Sequence, residues 1–174
     1  MKPDLIGQLR DPDPEIRSFA AYYLKNYGGE DAIEPLISTL GDPVAEVRRG
    51  AVHSLAVLGL RTGQGRVVDH VEFALGDEDP GVRMEAAMAL GTWLSGMVES
   101  ERTVRALMGA LTDADVEVAE RAAFALENIY GRKDSYDLSR PLLEALEGED
   151  GPLKEKVGAI LARKIRIEEN GPKG

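Results

Sequence analysis

A short pattern, Leu-x-Asp-x-x-x-x-Val-Arg, returns along this chain at nearly even intervals and constrains the fold more than any other feature. It is carried by Leu9, Asp11, Ile16 and Arg17, again by Leu40, Asp42, Val47 and Arg48, and a third time by Leu75, Asp77, Val82 and Arg83. Weaker copies begin at Leu111, with Asp113 and Val118, and at Leu146, with Asp150 and Leu153. The leading leucines step by 31, 35, 36 and 35 residues. A period of that length is one supersecondary unit, too small to bury its apolar face alone, so successive units must stack to make a common core.

Within each unit the apolar spacing predicts two helices. The first is short: Ile33, Leu36, Ile37 and Leu40 in the second unit, and Val104, Leu107, Met108 and Leu111 in the fourth, follow the i, i+3, i+4, i+7 rhythm of one helical stripe. Leu5, Ile6 and Leu9 match it in the first unit, and Leu142, Leu143 and Leu146 in the fifth. Pro35 and Pro141 fall near the starts of such helices, where a missing N–H costs little. An aspartate-rich turn comes next, and Asp13-Pro14 and Asp79-Pro80 predict an aspartate N-cap followed by proline at the first helical position.

The second helix carries Ile16, Ala20, Leu24 and Tyr27, matched by Val47, Ala51, Leu55 and Leu58, then Val82, Ala86, Leu90 and Trp93, then Val118, Ala122, Leu126 and Ile129. Leu153, Val157 and Leu161 continue it weakly. An alanine at the same depth in each of the first four units lets neighbouring helices approach closely. Gly28, Gly59 and Gly131 are expected to end second helices, with connections at Leu60–Gly65, Ser95–Ser100 and Gly131–Asp137. The expected organisation is one all-α array over 1–168, in units of 2–28, 29–59, 65–95, 100–131 and 137–168, with a flexible tail at 169–174.

The turn aspartate, and the arginine six residues later with valine or isoleucine before it, resemble HEAT repeats. Ile33-Glu34-Pro35-Leu36-Ile37, followed by Leu40, Asp42-Pro43 and Val47-Arg48 with Ala51, looks like the HEAT-like subgroup named for phycobilisome lyases. The resemblance runs over residues 2–168. The Trp-x-x-Leu-Gly-x-x-Tyr signature of tetratricopeptide repeats and the Thr-Pro-Leu-His of ankyrin repeats are missing. The resemblance implies a right-handed α-α superhelix of about five helical hairpins. It also implies a ladder between neighbouring repeats, built here from Asp11, Arg17, Asp42, Arg48, Asp77 and Arg83. Asp113 is followed six residues later by Ala119, and the fifth unit has Gly148 and Lys154 instead. The ladder is therefore expected to run through the first three units and break toward the C-terminus. Because partly buried ion pairs fix register, the last two units are expected to be the looser end.

Composition narrows the chemistry. The chain has 174 residues, no cysteine and a formal charge of −10. Without cysteine there is no disulfide framework, thiolate metal site or thiol nucleophile. No stretch approaches the roughly 18–20 apolar residues of a membrane span. The start, Met1-Lys2-Pro3-Asp4-Leu5-Ile6, lacks the apolar centre of a secretory signal. A cytoplasmic protein is the expectation. The acidic balance argues against nucleic-acid binding, which draws on lysine and arginine to displace phosphate counterions.

Only two histidines are present, His53 and His70, and neither has a second ligand at i+3 or i+4. HEAT-like deoxyhypusine hydroxylases hold iron with His-Glu pairs, whereas this chain has His53-Ser54 and His70-Val71. There is no Gly-x-Ser-x-Gly elbow or phosphate-binding loop, and Gly63-Gln64-Gly65 is expected to be a flexible connection. The expectation is no metal, no cofactor and no enzymatic activity.

In HEAT-like arrays the second helices line the concave side. Tyr22, His53, Met88, Phe124 and Ala159 form one column there, and Ser18, Arg49, Met84, Glu120 and Glu155 lie one turn earlier. The candidate protein-binding residues are Tyr22, Arg49, His53, Met84, Met88, Glu120 and Phe124, a band of the residue types enriched at interfaces. The competing expectation is that Tyr22, Met88 and Phe124 close the core. Tyr23 and Trp93 fall on the buried side of the wheel, and Phe73 is either an outer residue or a filler under the Leu60–Gly65 connection. The resulting picture is a scaffold or adaptor for another protein, with array ends open to homo-association. The lyase resemblance implies an alternative, an accessory subunit of a modifying enzyme handling a tetrapyrrole or a modified protein.

Overall fold

The computed structural model describes residues 4–98, 100–130 and 154–159. Most of the fifth unit, 137–168, together with the Gly131–Asp137 connection and the 169–174 tail, lies outside the described residues; 154–159 are helical. Among the described residues every regular element is a helix, and the helices fall in pairs. They are α1 (Leu5–Gln8) with α2 (Pro14–Tyr27), α3 (Ile33–Thr39) with α4 (Ala45–Thr62), α5 (Val67–Phe73) with α6 (Pro80–Gly91), and α7 (Glu101–Ala110) with α8 (Val116–Tyr130). None of these is long and apolar enough to cross a membrane.

The helix starts follow from the turns. Asp13 accepts the Glu15 N–H at 2.9 Å ahead of Pro14, and Asp79 accepts the Val82 N–H at 3.1 Å ahead of Pro80. Asp115 does the same for α8 through Glu117 at 2.9 Å. Each satisfies an N–H that the first helical turn leaves unpaired. At the other end of α4, Gly63 takes the left-handed conformation, φ 71°, which only glycine adopts without strain. Gly59 is thus inside α4 rather than at its end, and the helix runs three residues past the expected boundary into the Leu60–Gly65 segment. The reason is packing: α5 crosses at Gly59, where a Cβ would overlap Val67.

The second helices pack in order, α2 on α4, α4 on α6 and α6 on α8, while successive first helices meet sparsely. The stack therefore curves with the second helices as its tighter, inner layer. Ala20, Ala51, Ala86 and Ala122 are all wholly buried between these helices. At the α6–α8 crossing the approach is closer still, because a Cβ on Gly91 would overlap Ala125.

One end of this layer departs from the sequence expectation. Val47, Val82 and Val118 are buried, but their counterpart Ile16 is 37% exposed; Leu58 and Ile129 are buried, but Tyr27 is 54% exposed. Tyr23, expected in the core, is 37% exposed. The corresponding positions in later units face the preceding second helix, as Gly50 and Ser54 of α4 face α2, and no described second helix precedes α2.

The joints between units are forked ion pairs. Arg17 donates to both carboxylate oxygens of Asp42 at 2.7 and 3.1 Å. Arg48 does so to Asp77 at 2.8 and 2.7 Å, and Arg83 to Asp113 at 2.8 and 2.9 Å. The third nitrogen of each fork donates to the backbone oxygen of its own turn, at Asp11, Asp42 and Asp77. Each arginine thus ties two successive turns together, and Asp113 joins the ladder, carrying it into the fourth unit. Asp11 contributes its backbone oxygen to Arg17 and its carboxylate to the Asp13 N–H. Ala119 offers no arginine for a fourth rung. Instead, Lys156 donates to the Leu111 carbonyl at the end of α7.

These contacts hold three carboxyls below the usual aspartate range. At Asp42 and Asp77 burial pushes upward, but the arginine hydrogen bonds, the N–H of Val44 or Asp79 and the nearby positive charges outweigh it. At Asp113 the hydrogen bonds from Arg83 are the leading cause.

Candidate functional site

The inner face presents the two predicted columns, but the structure divides the expected band. Tyr22, Arg49 and His53 come together in a cleft of about 240 Å³ whose walls also include Phe19, Tyr23 and Glu85. Met84, Met88, Glu120 and Phe124 do not line it. Met84 is half-buried and packs on the core, and Met88 is also half-buried. Glu120 and Phe124 are exposed on α8. The continuous band across four units is therefore a cleft over the first three units and a separate exposed surface on the fourth.

His53 organises the cleft. From α4 it stacks on Tyr22 of α2, with ring centroids 5.1 Å apart and planes at 25°. Its edge meets Trp93, just past α6, at 4.8 Å and 76°. Nε2 lies 3.1 Å from Lys25 Nζ, and Nδ1 lies 2.7 Å from Glu85 Oε1. An ammonium has only protons to give, so Lys25 donates to Nε2, and the imidazole proton sits on Nδ1 and is donated to Glu85. The chain Lys25–His53–Glu85 thus crosses from α2 through α4 to α6. Lys25 also lies 3.4 Å from the centre of the Tyr22 ring, a cation–π contact that holds the ring from its other partner.

Ser54, wholly buried beside His53, fixes α2 against α4. Its hydroxyl donates to the Ala21 carbonyl and accepts the backbone N–H of Lys25 at 3.1 Å. Gly50 lets the two helices close, since a Cβ there would stand 3.1 Å from the Tyr22 nitrogen. On the rim, exposed Arg49 pairs with Glu46 of its own helix at 2.8 Å. Phe19 and Tyr23 stack at 4.2 Å, with Tyr22 edge-on to Tyr23 at 5.8 Å.

Sequence reasoning missed Phe19, Tyr23, Lys25, Glu85 and Trp93 as members of this site. Glu85 carried a usable signal: a carboxylate in the column of Phe19 and Gly50, on the side that faces the preceding helix, needs a buried partner. Lys25 carried none. Phe73 is 84% exposed on the outer layer and fills no space under the α4–α5 connection. His70 is half-buried on α5, away from the cleft lining.

Paired helices, an inner layer of second helices and a forked ladder define a helical-repeat solenoid. The family model for HEAT repeats matches residues 2–71 and 56–127, and the chain belongs to that family. No curated protein matches it. Among solved structures, the complex of CpcE and CpcF of phycocyanin lyase from Nostoc sp. PCC7120 is similar, with 21% identity, 95% of this chain and 66% of that chain covered, and a TM-score of 0.64. An engineered protein matches with 20% identity over 97% and 88% of the two chains at 0.63. Computationally designed armadillo repeat proteins for modular peptide recognition match with 21% identity over 98% and 88% at 0.58. At these identities the likeness is one of fold.

Proposed function

We propose that the chain is a non-enzymatic, intracellular scaffold that holds a segment of another protein on its concave face, with Tyr22, Arg49 and the His53 cleft as the contact. The observation that carries this reading is the state of the cleft's polar groups. His53 spends both ring nitrogens on Lys25 and Glu85, Glu85 is committed to His53, and Glu46 to Arg49. An imidazole and carboxylates so engaged build a shaped, rigid surface and leave no free base poised over an open position. Exposed aromatic and arginine side chains around it are the usual anchors of protein recognition.

Two structural neighbours engage polypeptide: CpcE stands in complex with CpcF, and the designed armadillo proteins are made for peptide recognition. The acidic side chains of the inner face, Glu46, Glu85 and Glu120, weigh against a phosphate backbone as the ligand.

The likeness to the phycocyanin lyase complex favours a second reading, an accessory subunit handling a tetrapyrrole. The cleft is smaller than the roughly 300–1,000 Å³ of ordinary small-molecule pockets, which supports the first reading. Quantitative capture from native lysate tests both. Tyr22→Ala with Arg49→Ala should release the captured protein, while Phe73→Ala on the outer layer should retain it. Equal retention by the parent and both variants refutes the concave contact, and visible absorbance after mixing with a bilin favours the second reading.

A further inference from the structure

The first end of the array carries a surface that its own repeat logic does not explain. Ile16, Phe19, Tyr23 and Tyr27 follow one another along α2 at helical spacing, and all four are exposed, Phe19 by 51%. The repeat register shows which way this stripe points. Gly50 and Ser54, the counterparts of Phe19 and Tyr23, touch the preceding helix α2, and Ala125, another counterpart of Tyr23, meets Gly91 on the preceding α6. The stripe therefore faces outward along the stack.

In the Tyr23 column small residues, Ser54, Ala89 and Ala125, hold the position inside the array because helices cross there almost in backbone contact, while the Phe19 column holds Gly50 and then Glu85. At the first end the same positions hold two stacked rings, 4.2 Å apart. A further repeat in the internal register would run into Tyr23. The face is apolar like an internal joint, yet shaped for a different neighbour.

We infer that this face binds a second copy of the chain, with α2 packed antiparallel on α2 of the other copy. The charge along the helix favours that direction, although Glu30 and Asp31 follow its C-cap Gly28. The start of α2 holds Asp13 and Glu15. At its far end the Arg61 guanidinium donates to the carbonyls of Lys25 and Gly28. Among the described residues no carboxylate pairs with Arg61. An antiparallel pair centred at Ala21 sets Phe19 of one copy on Tyr23 of the other. The same register sets the acidic start of each helix beside the Arg61 end of its mate, and opposes the two helix dipoles. A parallel pair would stack acid on acid and arginine on arginine. With a single 14-residue helix from each copy at its centre, the dimer is weak and concentration-dependent.

Sedimentation equilibrium of the full chain across a wide concentration range tests the inference. The parent should show a reversible monomer–dimer equilibrium. Phe19→Glu alone and Tyr23→Lys alone should each weaken it by about tenfold or more, since each buries two unpaired charges in the interface. Both positions are exposed, and unchanged circular dichroism verifies that the variants fold. The decisive sample is the equimolar mixture: position 19 of one copy faces position 23 of the other, so the two variants should pair with each other and restore the dimer. A parent that stays monomeric throughout overturns the inference. So does a dimer indifferent to both substitutions. Loss in each variant without rescue in the mixture refutes the antiparallel register. Phe19 and Tyr23 also line the concave cleft, but the concave-face test uses Tyr22→Ala with Arg49→Ala, which leave the stripe's own residues in place, so the two readings fail by different results.

Discussion

Replacing Arg48 by methionine removes the middle rung of the ladder and strands its partner. The guanidinium gives Asp77 two hydrogen bonds, at 2.8 and 2.7 Å, and the Asp42 carbonyl a third at 2.9 Å, with the two side chains only 8% and 13% exposed. In Arg48→Met the Asp77 carboxylate keeps the Asp79 N–H, 2.9 Å from Oδ1, and little else. Removing one partner of a buried ion pair costs about 3–5 kcal/mol; the surviving N–H and residual solvent contact place this case at the lower end, about 3 kcal/mol. Adding Asp77→Asn keeps the Asp79 bond and removes the stranded charge, so the double variant should recover about 2 kcal/mol of that loss. Urea unfolding followed by circular dichroism measures both. Hydrogen exchange at α4 and α6 shows whether the loss is local to the joint, as expected where cooperativity along a repeat array breaks down. A single variant within about 0.5 kcal/mol of the parent, or a double variant no better than the single, would refute the claim that the rung matters through its buried charge.

Acid should act on the same joints. Asp42, Asp77 and Asp113 titrate below the unfolded value of about 3.9, so their contribution is fully present above that pH and is lost as pH falls through their lower folded values. The urea midpoint should drop below about pH 4, and Asp42→Asn with Asp77→Asn and Asp113→Asn should flatten that drop; an unchanged slope in the triple variant means other carboxyls carry it. Gly91→Ala pushes a methyl into Ala125 and should lower stability by about 2 kcal/mol, whereas Gly109→Ala, with open space around it, should cost nothing in the same thermal melt. Amides of α8 should exchange before those of α4 and α6, because Ala119 supplies no fourth rung; the reverse order refutes the ladder as the source of graded stability.

Much of this architecture was legible because it repeats. The period marked the four described hairpins, and the alanine and leucine columns marked the buried stripe, since a position tested four times over leaves little room for accident. Asp13-Pro14 and Asp79-Pro80 marked helix starts for local reasons that need no tertiary knowledge. What repetition could not convey is what differs at a boundary. Ile16, Tyr23 and Tyr27 fit the buried pattern and are exposed, because burial belongs to the neighbour and, among the described residues, no second helix lies on that side of α2. Gly59 looked like a stop and is a crossing point, because a glycine serves either use and only the position of Val67 decides. The cleft was half visible: Tyr22, Arg49 and His53 share a face by register, but the link from His53 to Lys25 and Glu85 joins residues 28 and 32 positions away, a distance no local pattern spans.

The line from Lys25 through His53 to Glu85 sets a minimum size for a finished cleft. Each of its members comes from a different hairpin, and so do the rings of Tyr22 and Trp93 that enclose the imidazole. A nascent chain with one hairpin folded would display Tyr22 and Phe19 as bare aromatics; with two it would hold the imidazole on one side only. The complete pocket wall exists once the third hairpin has docked. On the scaffold reading proposed above, competence to bind becomes a readout of assembly, and a half-folded array has no finished surface with which to capture a partner.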